Sequence, residues 1–461
     1  MTTPDEGFVE RALERAALLE AQGHVELARL AYVEILGRRP GHVKILNALG
    51  LLLYKTGDRK AAQIAFGQAA EADPSDLSSQ LNVAYTYVFE SRFAEARAHY
   101  ERALAIDPGN RMAHQGLAYV LSELGDEEAA QDHRDKGFLE PVWRGTYRGE
   151  GDAVSVLLLC SLFGGTVSTA QFLDDRIFLV TTVVVELFDS AQPLPPHHVV
   201  FNAIGDADRC APALERAAQI LESSTAPVIN APRAVLATGR LANARRLSNL
   251  PGLVAPRMTL LRRSDASDAD LSYPLLLRAP GFHTGRFFER VEEPRELEAA
   301  LARMPGDSVL AIQYLDGRGR DGKYRKYRVM LIDGELYPLH LAIARNWKVH
   351  YGTAEMNDPA HRAEEERFLA DMAAALGAQA LAALRKLAAT LGLDYAGVDF
   401  GLSGSGELLL YEANATMTVV VPERFDAPYR RLPAERIIVA VIKMLARRAS
   451  GAGLGLRVDG V

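Results

Sequence analysis

The sequence predicts a helical repeat array followed by an α/β region, and three observations support this fold class. Alanine and proline residues recur every 34 residues near the amino terminus, a period typical of helical repeat proteins. From about Gly149, short runs rich in Val, Ile and Leu alternate with helical stretches, as expected for strands and helices of an α/β fold. The 461 residues are 48% hydrophobic, which is enough apolar material for about three domains.

Charge and cysteine content exclude several classes of protein. The chain has 52 basic and 59 acidic side chains and a net charge of -7, which argues against a nucleic-acid-coating protein and against a partner for anionic membranes. Cys160 and Cys210 lie in or beside apolar runs, so we expect buried, reduced thiols rather than a disulfide. The first residues form neither a basic leader nor an apolar core. A soluble, cytoplasmic protein is therefore expected.

The 34-residue period divides residues 1–140 into helical units. Each unit has the pattern of two amphipathic helices joined by a turn, as at Gly57–Asp58. The pattern resembles the tetratricopeptide repeat, with about three copies over residues 9–110 and a weaker fourth around His114–Gly137. Such an array implies either a groove for a protein or peptide partner or a scaffold for dimerisation, and the sequence favours neither. The positions that repeat are Ala28, Ala62, Ala96 and Ala130, Pro40, Pro74 and Pro108, and Tyr32, Phe66 and Tyr100.

Residues 150–238 are predicted to form an α/β subdomain. Because apolar strand-like runs are separated by a helical stretch at residues 207–224, a parallel sheet is expected. The predicted strands lie within residues 155–162, 176–188, 197–205 and 227–230.

Residues 239–450 contain two predicted hairpins and two helical segments, and residues 451–461 are predicted to form a flexible tail. The first hairpin turns at Asp333–Gly334, a dipeptide that favours tight β-turns. The second turns within Ser403–Gly406. Single strands are expected at residues 273–278 and 309–315, and helices at Ala360–Leu391 and Pro433–Arg448.

The second hairpin carries the most specific chemical pattern. Glu412 and Asn414 are two residues apart on one strand, so their side chains point to the same face. The short turn brings Asp399 on the preceding strand close to them. Two carboxylates and an amide oxygen together suit Mg²⁺. The alternative is a pair of surface acids on an edge strand.

The pattern D-(hydrophobic)-hairpin-E-x-N resembles the ATP-grasp superfamily, in particular its glutathione-synthetase and ribosomal-protein glutamate-ligase branch. The resemblance implies that Asp399, Glu412 and Asn414 hold Mg²⁺ beside ATP. It also implies a Rossmann-like subdomain at residues 150–238 and the ATP-binding and catalytic subdomains at residues 239–450.

The same resemblance assigns residues to the nucleotide. Arg240 and Arg278 stand where the family usually places phosphate-binding lysines, and this departure changes the geometry of the donors. The loop after Arg278 resembles the family's flexible phosphate-covering loop, and residues 309–317 resemble the segment that holds the adenine and ribose. The implied ATP-binding residues are Arg240, Arg278, Gly281, His283, Thr284, Gly285, Gln313, Tyr314, Leu315 and Asp316.

Three basic residues are implied at the reacting groups. Arg328 resembles the arginine that faces the transferred phosphoryl group, although an exposed strand arginine is the alternative. Lys348 and His350 lie where relatives place polar residues beside the acyl phosphate. The resemblance therefore implies an ATP- and Mg²⁺-dependent carboxylate–amine ligase for an amino acid or peptide, acting through an acyl phosphate. The alternatives are an ATP-grasp phosphotransferase and a repeat-based adaptor whose grasp domain is not catalytic.

Overall fold

The computed structural model describes residues 4–22, 24–282, 285–422 and 427–450. The chain divides into two compact units. The repeat unit comprises Met1–Leu139 with Val421–Pro428, and the catalytic-candidate unit comprises Glu140–Val420 with Tyr429–Val461. The finer division at residue 238 remains a prediction, as does the flexible tail, which lies outside the described residues.

The described part of the repeat unit is a series of helices in which each helix packs on the next. Both helices predicted for the clearest copy are confirmed, and the described helices form four pairs, in agreement with three copies and a fourth around His114–Gly137. The helices are α1 (Pro4–Ala21), α2 (Val25–Arg38), α3 (Val43–Lys55), α4 (Arg59–Ala72), α5 (Leu77–Phe89), α6 (Phe93–Ile106), α7 (Arg111–Leu124) and α8 (Glu127–Gly137).

Small residues at the repeating positions let these helices approach closely. The four periodic alanines are fully buried. A Cβ atom at Gly50 would lie 2.5 Å from the ring of Phe66, and one at Gly116 would lie 2.2 Å from the ring of Tyr100. Since atoms cannot approach so closely, glycine at these positions makes room for the aromatic ring of a neighbouring helix.

The first sheet of the catalytic-candidate unit is mostly parallel, as predicted. Its order is β1-β3-β2-β4-β5, and β2 to β5 run parallel. The short strand β1 was not predicted and adds an antiparallel edge. The elements are β1 (Val142–Arg144), β2 (Val154–Cys160), β3 (Phe178–Val184), β4 (Val199–Asn202), α9 (Ala211–Ile220), β5 (Val228–Ile229), α10 (Pro232–Leu236) and α11 (Arg240–Leu247).

The second sheet is antiparallel, with the order β7-β10-β8-β9. Leu275, Leu277 and Val309 point to a small core that helix α12 covers, so Leu276 and Arg278 point to the opposite face. Strands β7 and β9 were not predicted. The elements are β6 (Leu253–Val254), which joins the third sheet, β7 (Met258–Arg262), β8 (Leu275–Arg278), β9 (Phe288–Val291), α12 (Leu297–Ala302) and β10 (Ser308–Gln313).

The third sheet has the order β12-β11-β13-β14-β6 and contains both predicted hairpins. Both Asp333 and Gly334 have a positive φ, as a type I′ turn requires. On one face, Tyr327, Val398 and Phe400 join the core that includes helices α13 and α14. The elements are β11 (Tyr324–Ile332), β12 (Glu335–Ala344), α13 (Pro359–Ala370), α14 (Met372–Leu391), β13 (Tyr395–Leu402), β14 (Leu408–Asn414) and α15 (Arg431–Ser450).

The helical stretch predicted at Ala360–Leu391 is two helices bent by 65°. Asp371 leaves the helical conformation, and its carboxylate accepts a hydrogen bond from the Ala374 amide at 2.9 Å, which caps α14. Among the described residues, no single helix is long and apolar enough to cross a membrane. This bent pair passes such a test on length and composition alone.

Candidate active site

Four ionisable side chains form a row across the third sheet. His340 on β12 pairs with Arg328 on β11, which pairs with Asp399 on β13. Asp399 in turn pairs with Glu412 on β14. Directly opposed residues of antiparallel strands point to the same face, so the row lies on the face opposite the helix-covered core. The two predicted metal-binding carboxylates are thus direct cross-strand neighbours.

Asp399 is the most buried acid of this row, with 3% of its surface exposed. Its carboxylate accepts hydrogen bonds from Arg328 Nε at 2.6 Å and Nη2 at 2.8 Å. Lys326 Nζ lies 3.1 Å from the same carboxylate. Burial alone would raise the pKa of Asp399, but the charges of Arg328 and Lys326 outweigh it and hold the pKa well below its usual range. The alternatives of surface acids and an exposed strand arginine are therefore wrong.

Glu412 is held by Arg240, the first residue of α11. Arg240 Nη2 donates to Glu412 at 2.8 Å, and Nη1 donates to Asp208 at 2.8 Å. Asp208 also accepts from the Arg240 amide at 3.1 Å. Arg240 therefore bridges two carboxylates from distant parts of the sequence, at the position where the resemblance implied a phosphate-binding cation.

Arg278 and Lys348 converge from two other segments. The Arg278 guanidinium lies 5.3 Å from the Phe288 ring centroid, and Lys348 Nζ donates to the Phe288 carbonyl at 3.1 Å. Burial, followed by the charge of Arg240, lowers the pKa of Arg278 to about 10. Burial also lowers the pKa of Lys348, with a smaller contribution from Arg278. Arg278 is thus close enough to Arg240 and to Lys348 to feel the charge of both, and an anion bound there would relieve the repulsion.

The loop predicted to cover phosphates is only partly described. Gly281 and Gly285 both have a positive φ, at 80° and 73°, a backbone conformation that glycine adopts without strain. A Cβ atom at Gly285 would lie 2.7 Å from Cε of Lys348, which places this end of the loop beside the basic cluster. His283 and Thr284 lie outside the described residues.

A narrow cleft, with a cavity volume of about 30 Å³, lies at the Glu412 end of the carboxylate row. It is bounded by the segment after β4, by the start of α11 and by the end of β14, so it collects side chains from three parts of the unit. Asn414 lies in its wall, and its Oδ1 atom accepts from the Thr416 amide at 3.0 Å and hydroxyl at 2.8 Å. The polar residues lining the cleft are Asp206, Asp208, Thr238, Arg240, Asn243, Tyr411, Glu412, Asn414 and Thr416.

Residues predicted to hold the base and ribose line a second cavity, of about 380 Å³. Gln313 and Tyr314 are in its wall, together with the exposed Asp316. The Asp316 carboxylate is bound by Arg318, whose Nε lies 2.9 Å away, so it does not point free into the cavity. Leu315 is half-buried just beyond β10. Gln313, Tyr314 and Asp316 therefore line a different cavity from the one that Arg240 lines.

The predicted magnesium ligands have suitable oxygen atoms, but cations already hold the two carboxylates. Asp399 is bound by Arg328 and Lys326, and Glu412 by Arg240. Among the described residues, no three His, Cys, Asp or Glu side chains form a metal-binding group. The hard oxygen donors fit Mg²⁺, and binding requires the cations to release them. The metal assignment remains a prediction.

A buried network beyond the row was not predicted from the sequence. Glu365 is fully buried and accepts hydrogen bonds from the Leu341 amide at 3.2 Å and from the Tyr429 hydroxyl at 2.6 Å. Tyr351 also donates to it, and the Tyr351 ring centroid lies 4.9 Å from that of His340. The network thus connects the carboxylate row to helix α13. Its members are far apart in sequence, and no local pattern identifies them.

Asp206 and Asp208 were also missed, although a signal was present. They follow β4, and residues at the carboxyl end of parallel strands often bind ligands. Lys326, whose Nζ lies 3.1 Å from the Asp399 carboxylate, was not among the predicted site residues. His350 lies close enough to Lys326 and Arg328 for their charges to act on it, and its role remains a prediction. Burial lowers the pKa of His350, and those two cations lower it further.

Comparison with known proteins identifies the repeats. Residues 43–76 and 90–133 match the tetratricopeptide repeat family. The probable UDP-N-acetylglucosamine–peptide N-acetylglucosaminyltransferase SPINDLY of Hordeum vulgare is 27% identical over 114 residues, which are 25% of this chain and 12% of that protein. The SPINDLY protein of Petunia hybrida is 27% identical over 111 residues. The chain therefore spans about an eighth of the length of these relatives.

Solved structures similar to parts of the chain include a MamA protein and a ligase. A MamA structure has 24% sequence identity and a TM-score of 0.26, over 28% of this chain and 74% of that one. The VanG D-Ala:D-Ser ligase of Enterococcus faecalis has 14% identity and a TM-score of 0.41, over 64% of this chain and 100% of that one. The matched segments, residues 43–76 and 90–133, are tetratricopeptide repeats.

Proposed function

We propose that the catalytic-candidate unit is an ATP-grasp enzyme that joins a carboxylate to an amine at the expense of ATP. One observation carries the proposal. Arg240 and Arg328 bind the cross-strand carboxylates Glu412 and Asp399, and the cleft borders Glu412. Arg278 and Lys348 come from two further segments and meet at Phe288. Such a cluster suits phosphoryl transfer, which depends on positioning and on compensating the charge of phosphate oxygens.

The chemistry proceeds in two balanced steps. An oxygen of the substrate carboxylate forms a bond to the γ-phosphorus of ATP while the bond to ADP breaks, which gives an acyl phosphate. The amine then attacks the acyl carbon, and phosphate leaves as the amide forms and the amine loses a proton. Mg²⁺ bound by Asp399, Glu412 and Asn414 would offset charge on the phosphates. Arg278 and Lys348 would orient the phosphates, and closure of the loop that contains Gly281 and Gly285 would exclude water.

Nucleotide binding would exchange the partners of the arginines. A triphosphate offers Arg240 and Arg328 several charged oxygens, and the guanidinium fork binds two of them at once. The carboxylates of Glu412 and Asp399 would then be released to the metal. The adenine would lie near the backbone of Tyr314 and Leu315, with Gln313 and Asp316 nearby.

A second candidate function is nucleotide binding without catalysis, in support of a repeat-based adaptor. The observation that favours it is the direct pairing of Arg240 with Glu412 and of Arg328 with Asp399. If these ion pairs persist when nucleotide binds, no carboxylate is available to a metal. The phosphotransferase alternative shares the site with the ligase and differs only in the product.

The test is a screen of Mg·ATP with pairs of amino acids and short peptides, read out as ADP release and as product mass. Release of ADP together with an amide product supports the ligase. Release of ADP with a phosphorylated product alone supports a phosphotransferase, and nucleotide binding without ADP release supports the adaptor. Lys348→Met should reduce turnover at least tenfold. The control, Glu407→Gln, lies in the turn of the hairpin that carries Asp399 and Glu412, outside both cavities, and should not reduce turnover.

A further inference from the structure

We infer that one face of the repeat unit, formed by α3, α5 and the start of α4, binds an acidic peptide segment that presents a large apolar side chain beside a carboxylate. We call this face the aromatic patch and define it by Leu51, Tyr54, Arg59, Tyr85 and Phe89. The inference concerns the repeat unit alone, so it does not depend on the activity proposed for the other unit.

Three aromatic rings form the centre of the aromatic patch. Tyr54 lies on α3, and Tyr85 and Phe89 lie one turn apart on α5. Their ring centroids are 5.5 to 5.8 Å apart in pairs, and each pair is arranged edge to face. This arrangement is favourable for aromatic rings and presents a preformed apolar surface.

The aromatic patch is exposed rather than buried in the repeat core. Tyr85 is 46% exposed, Phe89 is 37% exposed, and Leu51, one turn before Tyr54, is 45% exposed. Leu53 and Leu52 between them are buried, so α3 contributes separate side chains to the core and to the surface. Contiguous exposed apolar groups on a folded unit mark a surface for a partner.

Arg59 gives this surface its charge preference. Its guanidinium lies 4.7 Å from the Phe89 ring centroid and 6.0 Å from that of Tyr54. Within the described residues it has no hydrogen bond or ion pair, and its Nε atom is buried without an acceptor. A cation held by rings alone keeps its terminal Nη donors available for a carboxylate.

Arg92, a second arginine of the repeat unit, stacks on an aromatic ring as Arg59 does but also has carboxylate partners. Arg92 also stacks on a ring, with its guanidinium 4.4 Å from the centroid of Tyr87. Arg92 is in addition bound by Glu95 at 2.8 Å and by Glu90 at 3.4 Å. The charge of Arg92 is therefore already neutralised within the repeat unit. Arg59 would gain a carboxylate only from a bound partner.

The geometry also selects against basic partners. Aromatic rings often bind a ligand cation, but in the aromatic patch Arg59 already occupies that place. A lysine or arginine of a partner would be repelled by it, whereas Asp, Glu or a terminal carboxylate would form a charge-assisted pair. The adjacent apolar side chain of the partner would cover Leu51, Tyr85 and Phe89.

Selection of random twelve-residue peptides displayed on phage, against the full chain, tests the inference. We expect enriched peptides to carry Trp, Phe, Leu or Met within two residues of Asp, Glu or a free carboxyl terminus. The same selection against Arg59→Gln should lose the acidic residue from the consensus. Enrichment of basic peptides, an unchanged consensus with Arg59→Gln, or no enrichment at all would overturn the inference.

The enriched peptide, made synthetically with a fluorescent label, then gives affinities by anisotropy. Arg59→Gln and Tyr85→Ala should each weaken binding at least tenfold, and replacing the peptide's carboxylate by its amide should do the same. Arg97→Gln is the matched control, because Arg97 is an exposed arginine of α6 that pairs with Glu101. Equal affinities for Arg59→Gln and Arg97→Gln would contradict the proposed role. Circular dichroism melting curves establish that each variant is folded.

Discussion

The two units of the chain place their buried charges differently. In the described part of the repeat unit, ion pairs such as Arg97–Glu101 lie at the surface, with both side chains about half exposed. The buried His, Glu and Arg side chains of that unit, namely His114, Glu123 and Arg134, lie on its last two helices. In the catalytic-candidate unit, Asp399, Glu365 and His340 are buried in and beside the carboxylate row. Burying charges is costly unless they are paired. Close packing of apolar side chains thus dominates α1 to α6, while the other unit keeps its buried charges at the candidate site.

The largest expected effect comes from breaking a buried charge pair. Asp399→Asn removes the charge that neutralises Arg328 and Lys326, and leaving a buried cation unpaired costs about 3–5 kcal/mol. Hydrogen exchange by mass spectrometry in urea would follow both units separately. We expect β11 and β13 to lose protection while the repeat helices keep theirs. Equal loss in both units would contradict the contrast between them.

In the repeat unit, stability is expected to depend on the size of the side chains at helix contacts. Gly116→Ala would place Cβ 2.2 Å from the buried ring of Tyr100, and overpacking of this kind costs about 1–3 kcal/mol. The matched control is Gly67→Ala on α4, where a Cβ atom meets nothing within 4 Å. That change should stabilise by up to about 1 kcal/mol, because alanine favours the helix. Urea unfolding, followed by hydrogen exchange at α7 for Gly116→Ala and at α4 for Gly67→Ala, distinguishes the two variants.

The stability of the catalytic-candidate unit should depend on pH because of His340. Burial, followed by the charge of Arg328, holds the pKa of His340 well below its usual value. The unfolded chain binds a proton below about pH 6.5 while the folded chain does not. Stability should therefore fall as the pH drops below that value, by about 1.4 kcal/mol per pH unit for this one group.

The variant His340→Gln checks this dependence. Urea midpoints measured between pH 7.5 and 5 should decline less steeply in the variant than in the wild-type chain. An identical slope in both would show that His340 is not the group that titrates.

The smallest effect is expected for an exposed ion pair. Arg97→Ala removes the pair with Glu101 on the surface of α6, and such pairs contribute less than about 0.5 kcal/mol. The urea midpoint of the repeat unit should shift within experimental error. A loss comparable to that of Asp399→Asn would mean that surface charges stabilise the repeats.

Local patterns made much of the fold predictable. The 34-residue period located the repeats, and the turns at Asp333–Gly334 and after Leu402 located both hairpins. The short turn made the proximity of Asp399 and Glu412 predictable, but not their direct pairing. That pairing depends on a register shift between Phe400 and Asp399, a β-bulge that the sequence does not reveal. The short strands β1, β7 and β9 were missed because three to five residues carry too little alternation.

Other features depend on contacts between distant segments. The carboxylate of Glu365 accepts hydrogen bonds from Tyr351 and Tyr429, and no pattern in the sequence around residue 365 predicts these partners. The pairing of Arg240 with both Asp208 and Glu412 likewise joins three separate segments. The bend at Asp371 was overlooked because alanine and leucine on both sides favour a continuous helix.

Calorimetric titration of ATP, with and without Mg²⁺, into the full chain tests the nucleotide site most directly. We expect binding that requires Mg²⁺ and that weakens at least tenfold in Glu412→Gln, while the hairpin control Glu407→Gln binds as the wild type does. Absence of binding, or equal affinity for Mg·ATP in the wild type and Glu412→Gln, would contradict the assignment of Asp399, Glu412 and Asn414 to a metal-bound nucleotide.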